Sequence, residues 1–154
     1  MLFTGFADAM VDAKQRLAIP AKFRSEFPEM ASGERMRWYC VPWPGGFLRL
    51  YPGETFESLA SLGVDSLTPG EDMAELEVTL YGLAERLELD GAGRIRLPHM
   101  ELVGLPNEVT VVGARNRLEV RSRIVWQDSL ADRFKRLASQ VERVERHGNG
   151  SQAT

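Results

Sequence analysis

Two short stretches of this 154-residue chain share an aspartate, an arginine four residues later, two alternating aliphatic residues and a proline. They are residues 12–20, Asp-Ala-Lys-Gln-Arg-Leu-Ala-Ile-Pro, and residues 90–98, Asp-Gly-Ala-Gly-Arg-Ile-Arg-Leu-Pro, which lie 78 positions apart. The planar guanidinium group of an arginine can donate two hydrogen bonds at once, to phosphate oxygens or to the O6 and N7 atoms of guanine. Both stretches therefore have the chemistry to bind an anionic partner.

The aspartate of each stretch suits a different purpose, because an acid directed at a phosphate would repel it. Asp side chains accept hydrogen bonds from the backbone two residues further along, as in tight turns, and Gly93 can supply a positive φ. We therefore expect Asp12, Asp90 and Gly93 to shape two loops. The simplest alternative is a turn closed by an exposed Asp–Arg ion pair, which contributes about 0 to 1 kcal/mol and binds nothing.

The sequence around each loop predicts a β-hairpin followed by a short helix. Residues 6–11 and 84–89 have strand character, and the aliphatic residues after each arginine alternate with the period of two of a half-buried strand. The prolines that end the stretches suit the first turn of helices near residues 21–27 and 99–103. Further strands are predicted at residues 37–41, 47–51, 108–112 and 117–120. Each repeat therefore has the order β-β-α-β-β-α.

One repeat alone would leave sheet edges exposed to pairing with another copy, and interlocking two repeats removes these edges. We therefore predict a mostly β fold with short helices (α+β), in which both repeats close into one pseudo-twofold barrel with a C-terminal helix. A single domain would cover residues 1–146, with repeat one at about 1–62, repeat two at about 84–146, and an acidic linker and helix at 63–83. The alternative is two independent domains of about 75 residues, each with a small core.

The distribution of charge matters more than its total. The formal net charge of −3 at first argues against a nucleic-acid partner. Residues 12–37 carry six basic and four acidic side chains, as do residues 90–123, so each loop-bearing segment has a net charge of +2. Residues 53–89 carry nine acids and one arginine, a net charge of −8, and include a predicted amphipathic helix at residues 73–83. A local basic face is therefore compatible with the sequence.

Catalytic and metal chemistry have little support in the sequence. Cys40, the single cysteine, lies among apolar residues without a Cys/His cluster, which favours a buried packing thiol over a nucleophile or a zinc ligand. His99 and His147 have no acid or nucleophile patterned around them, and phosphate-binding and nucleophile motifs are absent. We expect no enzyme activity, cofactor, metal or small-molecule substrate. No stretch approaches the ~20 apolar residues that span a bilayer, so we expect a cytoplasmic protein without a membrane partner.

The paired motifs resemble the two halves of the MraZ family. The likeness covers about residues 1–135 and is specific, because two copies of the motif occur in the right order. It implies an AbrB-like swapped-hairpin barrel and a homo-oligomeric ring, an octamer or larger. It further implies a nucleoid-associated transcriptional regulator that binds direct repeats in double-stranded promoter DNA, upstream of its own division and cell-wall gene cluster. The residues that carry the likeness are 12–24, 50–52, 89–98, 104–105, 109–113, Glu119 and Trp126.

The resemblance also implies which side chains contact DNA. By their positions in the motif, Lys14 and Arg16 lie in the first DNA-contacting loop and Arg94 lies in the second. Arg96 is a further candidate in the second repeat. The remaining candidates are Lys22 and Arg24, on the helix after the first loop, although a solvated helix face explains them equally well.

Two departures from the family pattern distinguish the loops. Gln15 stands where the family usually has a glycine, so the first loop must either tolerate a side chain or change its turn type. Residues 91 and 92, Gly and Ala, stand where the family often has a basic residue. DNA affinity is then either weaker or supported by Arg96, Arg115 and Arg117. We therefore expect the first loop to dominate DNA binding.

The sequence leaves open what the C-terminal stretch packs against. Residues 124–144 carry apolar side chains at helical spacing, so this helix packs either on its own barrel or on a neighbouring subunit. Residues 147–154 lack apolar anchors, and we expect a disordered tail.

The alternative function is that of a protein-interaction or antitoxin-like barrel without direct promoter binding. Such a barrel would use the acidic segment 53–89 and would keep the two loops only as structural turns.

Overall fold

The computed structural model describes residues 1–152 of the chain. These form two compact units, Met1–Arg123 and a second unit that begins at Ile124, and each is described by itself. The strands of the first unit are β1 (Phe6–Met10), β2 (Arg16–Ala18), β3 (Arg37–Trp43), β4 (Phe47–Pro52), β5 (Glu85–Glu88), β6 (Arg94–Arg96), β7 (Glu108–Gly113) and β8 (Leu118–Ser122). The helices are α1 (Ala21–Arg24), α2 (Gly53–Ala60), α3 (Glu71–Leu83), α4 (Met100–Val103) and α5 (Arg123–Gln152). The predicted order β-β-α-β-β-α occurs in each half.

A six-stranded antiparallel sheet combines strands from both halves in the order β1-β7-β8-β4-β3-β5. The first strand of each half pairs with a strand of the other half, so that Ala7 lies opposite Val111 and Leu87 lies opposite Trp38. The alternation of apolar residues places one face of these strands in a shared core, as the period of a strand requires. Each half therefore supplies an edge strand to the sheet that the other half contributes to.

The strand order is symmetric about the central β8–β4 pair. Reading outward from this pair, β8, β7 and β1 correspond to β4, β3 and β5. A second, two-stranded sheet pairs β2 with β6, and its central pair is Leu17 with Ile95. Both residues are fully buried and belong to the same core as Leu48 and Val120 of the larger sheet. We call the β2–β6 sheet the central ribbon.

The mostly β class with short helices and a C-terminal helix is confirmed, but the closed barrel is wrong. The six-stranded sheet stays open, with β1 and β5 as its edges, and the central ribbon is a separate sheet. After the first loop the chain leaves β1, and an isolated bridge joins Leu17 of β2 to Val11, the residue that follows β1. Strand β2 then pairs with β6 instead of extending the sheet. On edge strand β1, the backbone carbonyl of Ala9 accepts a side-chain hydrogen bond from Arg123 Nη2 at 2.8 Å.

The core of the first unit is aromatic and aliphatic. Trp38 is fully buried, and its ring lies 6.2 Å from the ring of Phe3 and 5.4 Å from that of Phe27. Cys40 is also fully buried, and burial raises the pKa of its thiol. The prediction of a packing thiol is confirmed.

The second unit is the long helix α5 from Ile124 onward. Phe134 and Val144 on this helix are exposed. We predicted a disordered tail over residues 147–154, whereas α5 continues through Gln152. The stretch contains no proline, so the helix can gain one further hydrogen bond for each residue added. Residues 153 and 154 lie outside the described residues. None of the helices within residues 1–152 is long and apolar enough to cross a membrane.

Candidate nucleic-acid interface

Asp12 closes the first loop with three hydrogen bonds. Its Oδ1 atom accepts the backbone N–H of Lys14 at 2.8 Å and that of Arg16 at 2.9 Å. Its Oδ2 atom accepts the side-chain Nε–H of Arg16 at 2.8 Å. The backbone hydrogen bond from Arg16 is the main reason why the pKa of Asp12 lies below its ordinary value. The carboxylate therefore fixes both the turn and the direction of the arginine side chain.

Asp90 makes the same three bonds in the second loop. Its Oδ1 atom accepts the backbone N–H groups of Ala92 and Arg94, both at 2.9 Å, and its Oδ2 atom accepts Nε of Arg94 at 3.1 Å. The backbone hydrogen bond from Arg94 is again the main cause that lowers the pKa of the carboxyl. Two segments 78 positions apart in the sequence thus fold into the same loop.

The residue before each arginine has a left-handed backbone in both loops. Gly93 has a φ of 75° and Gln15 has a φ of 61°, and each donates its backbone N–H to the carbonyl of the loop aspartate. Of the two outcomes open for Gln15, the first is observed, since the loop keeps its turn type and tolerates the side chain. Left-handed backbone is unfavourable for a residue with a Cβ, so the first loop stores strain that the second does not.

The central ribbon places both loops on one surface. Its inward pair, Leu17 and Ile95, is buried in the core. Because side chains alternate along a strand, the neighbouring residues on both sides face outward. These outward residues are Arg16, Ala18, Arg94 and Arg96.

Each half of the chain holds the loop of the other half. The backbone N–H of Ile19 donates to the carbonyl of Gly93 at 3.0 Å, and that of Leu97 donates to the carbonyl of Gln15 at 2.8 Å. These reciprocal bonds fix one loop at each end of the ribbon. The distance between the loops is therefore set by the backbone and not by flexible side chains.

The loop arginines keep donors available for a partner. The side chains of Arg16 and Arg94 are 33% and 35% exposed, and each uses Nε for the bond to its aspartate. Within the described part of the chain no hydrogen bond engages the Nη atoms of either arginine. Lys14 and Arg96 are exposed beside them. An ion pair confined to a structural turn accounts for the Nε bonds, and the Nη donors remain for water or for a partner.

The two candidate residues on helix α1 contact different parts of the structure. The ammonium group of Lys22 lies against Gly5 and 5.6 Å from the centre of the Phe23 ring. The guanidinium of Arg24 lies against the second loop, where a Cβ atom added to Gly93 would be 3.1 Å from Nη1. The structure thus brings Arg24, but not Lys22, to a loop.

A buried carboxylate surrounded by arginines was not predicted. Glu119 on β8 is 5% exposed, and it accepts hydrogen bonds from Nε of Arg117 at 3.0 Å and from Nη2 of Arg121 at 2.7 Å. Nε of Arg49 lies 3.4 Å from the same carboxylate. Burial raises the pKa of Glu119, but the bonds and charges of Arg121 and Arg117 together lower it.

This cluster lies away from the central ribbon. The residues beside Glu119, Leu118 and Val120, face the core that the ribbon covers, so Glu119 faces the opposite side of the sheet. Arg117 is therefore engaged there and does not assist the second loop. The signal for the cluster was the alternation of Arg, Glu and Arg at positions 117, 119 and 121, but sequence alone could not identify Arg49 as a neighbour.

Comparison with known proteins gives one consistent result. A family model described as "MraZ protein, putative antitoxin-like" matches residues 80–146, which include the second loop. A protein of Thioalkalivibrio sulfidiphilus named transcriptional regulator MraZ is 30% identical over 87% of this chain and 89% of its own length. Proteins with the same name from Nitrosococcus oceani and Pseudomonas syringae pv. tomato are each 32% identical. Their matches cover 84% and 85% of this chain, and 87% and 86% of the respective relatives.

Proposed function

The chain belongs to the MraZ family, and on that premise we propose that it is a transcriptional regulator that binds double-stranded promoter DNA through its two loops. One observation carries the proposal. Two loops of the same hydrogen-bonded geometry lie at the ends of one ribbon, and each holds an arginine by Nε while no hydrogen bond among the described residues engages its Nη donors. Such paired donors match the spacing of phosphate oxygens and of the guanine edge.

We propose different roles for the basic side chains, which contact DNA, and for the acidic side chains, which shape the loops. Arg16 and Arg94 are the principal contacts, and Lys14 and Arg96 add positive charge beside them. Contacts to phosphate give affinity and position, whereas contacts to base edges give sequence specificity. The residues proposed to shape the loops are Asp12, Asp90 and Gly93.

Recognition would be multivalent. We propose that the repeats, about 1–62 and 84–146 with the linker 63–83, act as one domain, as the interleaved sheet supports. Several copies in a ring, an octamer or larger, would meet direct repeats in the promoter of the division and cell-wall gene cluster. Each copy alone makes few phosphate contacts, so linking copies raises affinity through effective concentration. The place of action would be the nucleoid, in the cytoplasm, and the role involves no catalysis.

The test is the substitution Arg16→Ala. We expect it to abolish binding of tandem promoter repeats, because one bidentate contact contributes about 1 to 3 kcal/mol and the loss repeats in every copy. The measurement is a mobility shift with DNA from upstream of the coding sequence, together with light scattering to verify that the oligomer is intact. Normal DNA binding by an intact Arg16→Ala oligomer would contradict the loop assignment.

A matched control removes a positive charge elsewhere. Arg86 is exposed on edge strand β5. Its neighbour Leu87 packs against the core, so Arg86 faces the side of the sheet opposite the ribbon. We expect Arg86→Ala to bind DNA as the wild type does.

A salt series distinguishes the alternative function. Binding through phosphate contacts weakens steeply as salt rises, because each contact releases counterions. A wild-type protein that shifts no DNA even at low salt would support the protein-interaction or antitoxin-like alternative.

A further inference from the structure

We propose that Arg24, which belongs to the first repeat, supplies the second loop with a second cation beside Arg94, the counterpart of Lys14 in the first loop. The inference rests on the proposed DNA-binding function and deepens it, because it assigns to one side chain the task of making the second loop attractive to phosphate. It also changes the expectation that the first loop dominates binding.

The path of the backbone brings Arg24 to the second loop. After β2, the N–H of Ile19 bonds to the carbonyl of Gly93, and helix α1 begins two residues later at Ala21. The side chain of Arg24 at the end of this helix lies over Gly93, since an added Cβ there would be 3.1 Å from Nη1 and 3.3 Å from Cδ. Arg24 is exposed, and among the described residues no acid forms an ion pair with it. Its charge is therefore available at the loop.

The first loop receives no such side chain from the other repeat. The N–H of Leu97 bonds to the carbonyl of Gln15, so α4 follows the first loop as α1 follows the second. Helix α4 begins 79 positions after α1, so the counterpart of Arg24 at its end is Val103, which is half-buried and uncharged. The first loop instead carries its own Lys14, whose counterpart in the second loop is Ala92. Each loop thus has a second cation, which is Lys14 in the first loop and Arg24 from the other repeat at the second loop.

The balance of charge shows why Arg24 matters. Near the first loop, the cations are Lys14, Arg16 and Arg96, the last being the strand partner of Arg16. With Asp12 they leave a net charge of +2. In the second loop Arg94 and Asp90 cancel, and the strand partner of Arg94 is the uncharged Ala18. Arg24, which lies over Gly93, gives this end a positive charge, and a neutral loop would gain little from the counterion release that drives binding to phosphates.

The test compares charge-neutralising variants of the full-length protein. The probe is a labelled duplex from immediately upstream of the coding sequence, and the dissociation constant is measured by anisotropy over a salt series. We expect Arg24→Gln to weaken binding roughly tenfold at low salt, the order of effect of one charge-assisted hydrogen bond. The slope of log affinity against log salt should fall by about 0.9 for each phosphate that the protein no longer neutralises. Arg86→Gln, which removes the same charge on the opposite side of the sheet, should leave both quantities unchanged.

A rescue variant tests whether a cation in the second loop can replace the charge of Arg24. Ala92→Lys places a lysine in the second loop at the position that Lys14 occupies in the first, so we expect it to restore affinity and salt slope in the Arg24→Gln background. Arg24→Lys should keep the wild-type slope. Thermal melting of every variant verifies folding, which the exposure of both positions favours.

The outcomes distinguish this inference from the proposed function. If Arg16→Ala abolishes binding while Arg24→Gln behaves like Arg86→Gln, the role of Arg24 is wrong and the DNA-binding function stands. A folded double variant in which Ala92→Lys restores nothing also overturns it. If the wild type binds no DNA at any salt concentration, the proposed function fails and the role of Arg24 fails with it.

Discussion

Gln15 and Gly93 occupy equivalent positions, and the comparison isolates what one residue contributes to a loop. Both have a positive φ and both accept a backbone hydrogen bond from the other repeat. Glycine adopts this backbone without steric cost, whereas a residue with a Cβ is strained there. The first loop keeps its shape because Asp12 and the bond from Leu97 hold it on both sides. Local turn chemistry and a distant contact thus act on the same residue.

Exchanging these residues should change stability in opposite directions. We expect Gln15→Gly to raise the free energy of unfolding by about 0.5 to 1 kcal/mol, since relief of left-handed strain exceeds the added entropy of the unfolded chain. Gly93→Ala should lower it by about 1 kcal/mol or more, since the new Cβ is strained and lies against Arg24. Chemical denaturation measures both. Equal effects of the same sign would contradict the assignment of strain to the first loop.

The central ribbon is the element that turns two loops into one surface. Each of its strands has only three residues, too few for an independently stable pair. Burial of Leu17 and Ile95 in the common core holds the ribbon in place, and the bonds of Ile19 and Leu97 extend it to the loops. Packing therefore determines the placement of the DNA-contacting residues that we propose.

Truncating the buried centre of the ribbon should affect stability and binding together. Leu17 is fully buried, so we expect Leu17→Ala to lower the free energy of unfolding by about 2 to 5 kcal/mol. DNA affinity should fall as well, because the loops would no longer be held at a fixed separation. The control is Ala18→Ser on the exposed face of the same strand, which should change stability by less than about 0.5 kcal/mol. If Leu17→Ala retains wild-type stability, the ribbon is not anchored by this contact.

At the scale of the whole first unit, strand exchange between the halves makes them interdependent. Strand β1 pairs with β7, and β5 pairs with β3, so neither half contains a complete sheet. The turn between α2 and α3 is the natural place to interrupt the chain, because Leu67 there is fully exposed. Cleavage at this site leaves all the strand pairs intact.

A chain split between residues 66 and 67 should therefore remain one folded complex. We expect fragments 1–66 and 67–154 to co-elute and to melt in a single transition when mixed, and to lack cooperative melting when separate. Size-exclusion chromatography and thermal melting by circular dichroism measure this. Cooperative unfolding of the isolated first fragment would instead support two independent domains.

The sequence by itself determined the features that depend on neighbouring residues. It predicted the repeat, the order of strands and short helices, and two loops closed by an aspartate, because an Asp side chain reaches backbone groups only two and four residues away. It also predicted the burial of Cys40 from the apolar residues around it. Membership of the MraZ family followed from the same motifs and is confirmed by the relatives.

Only the tertiary structure decided how distant segments meet. It left the larger sheet open where a closed barrel was expected, since β2 pairs with β6 rather than extending β1. It placed Arg24 against Gly93 and gathered Arg49, Arg117 and Arg121 around Glu119. The positions of Arg24 and Arg49 depend on packing between segments about 70 residues apart in the chain. Strand partners across such distances are selected by the packing of the whole core, which no short motif specifies.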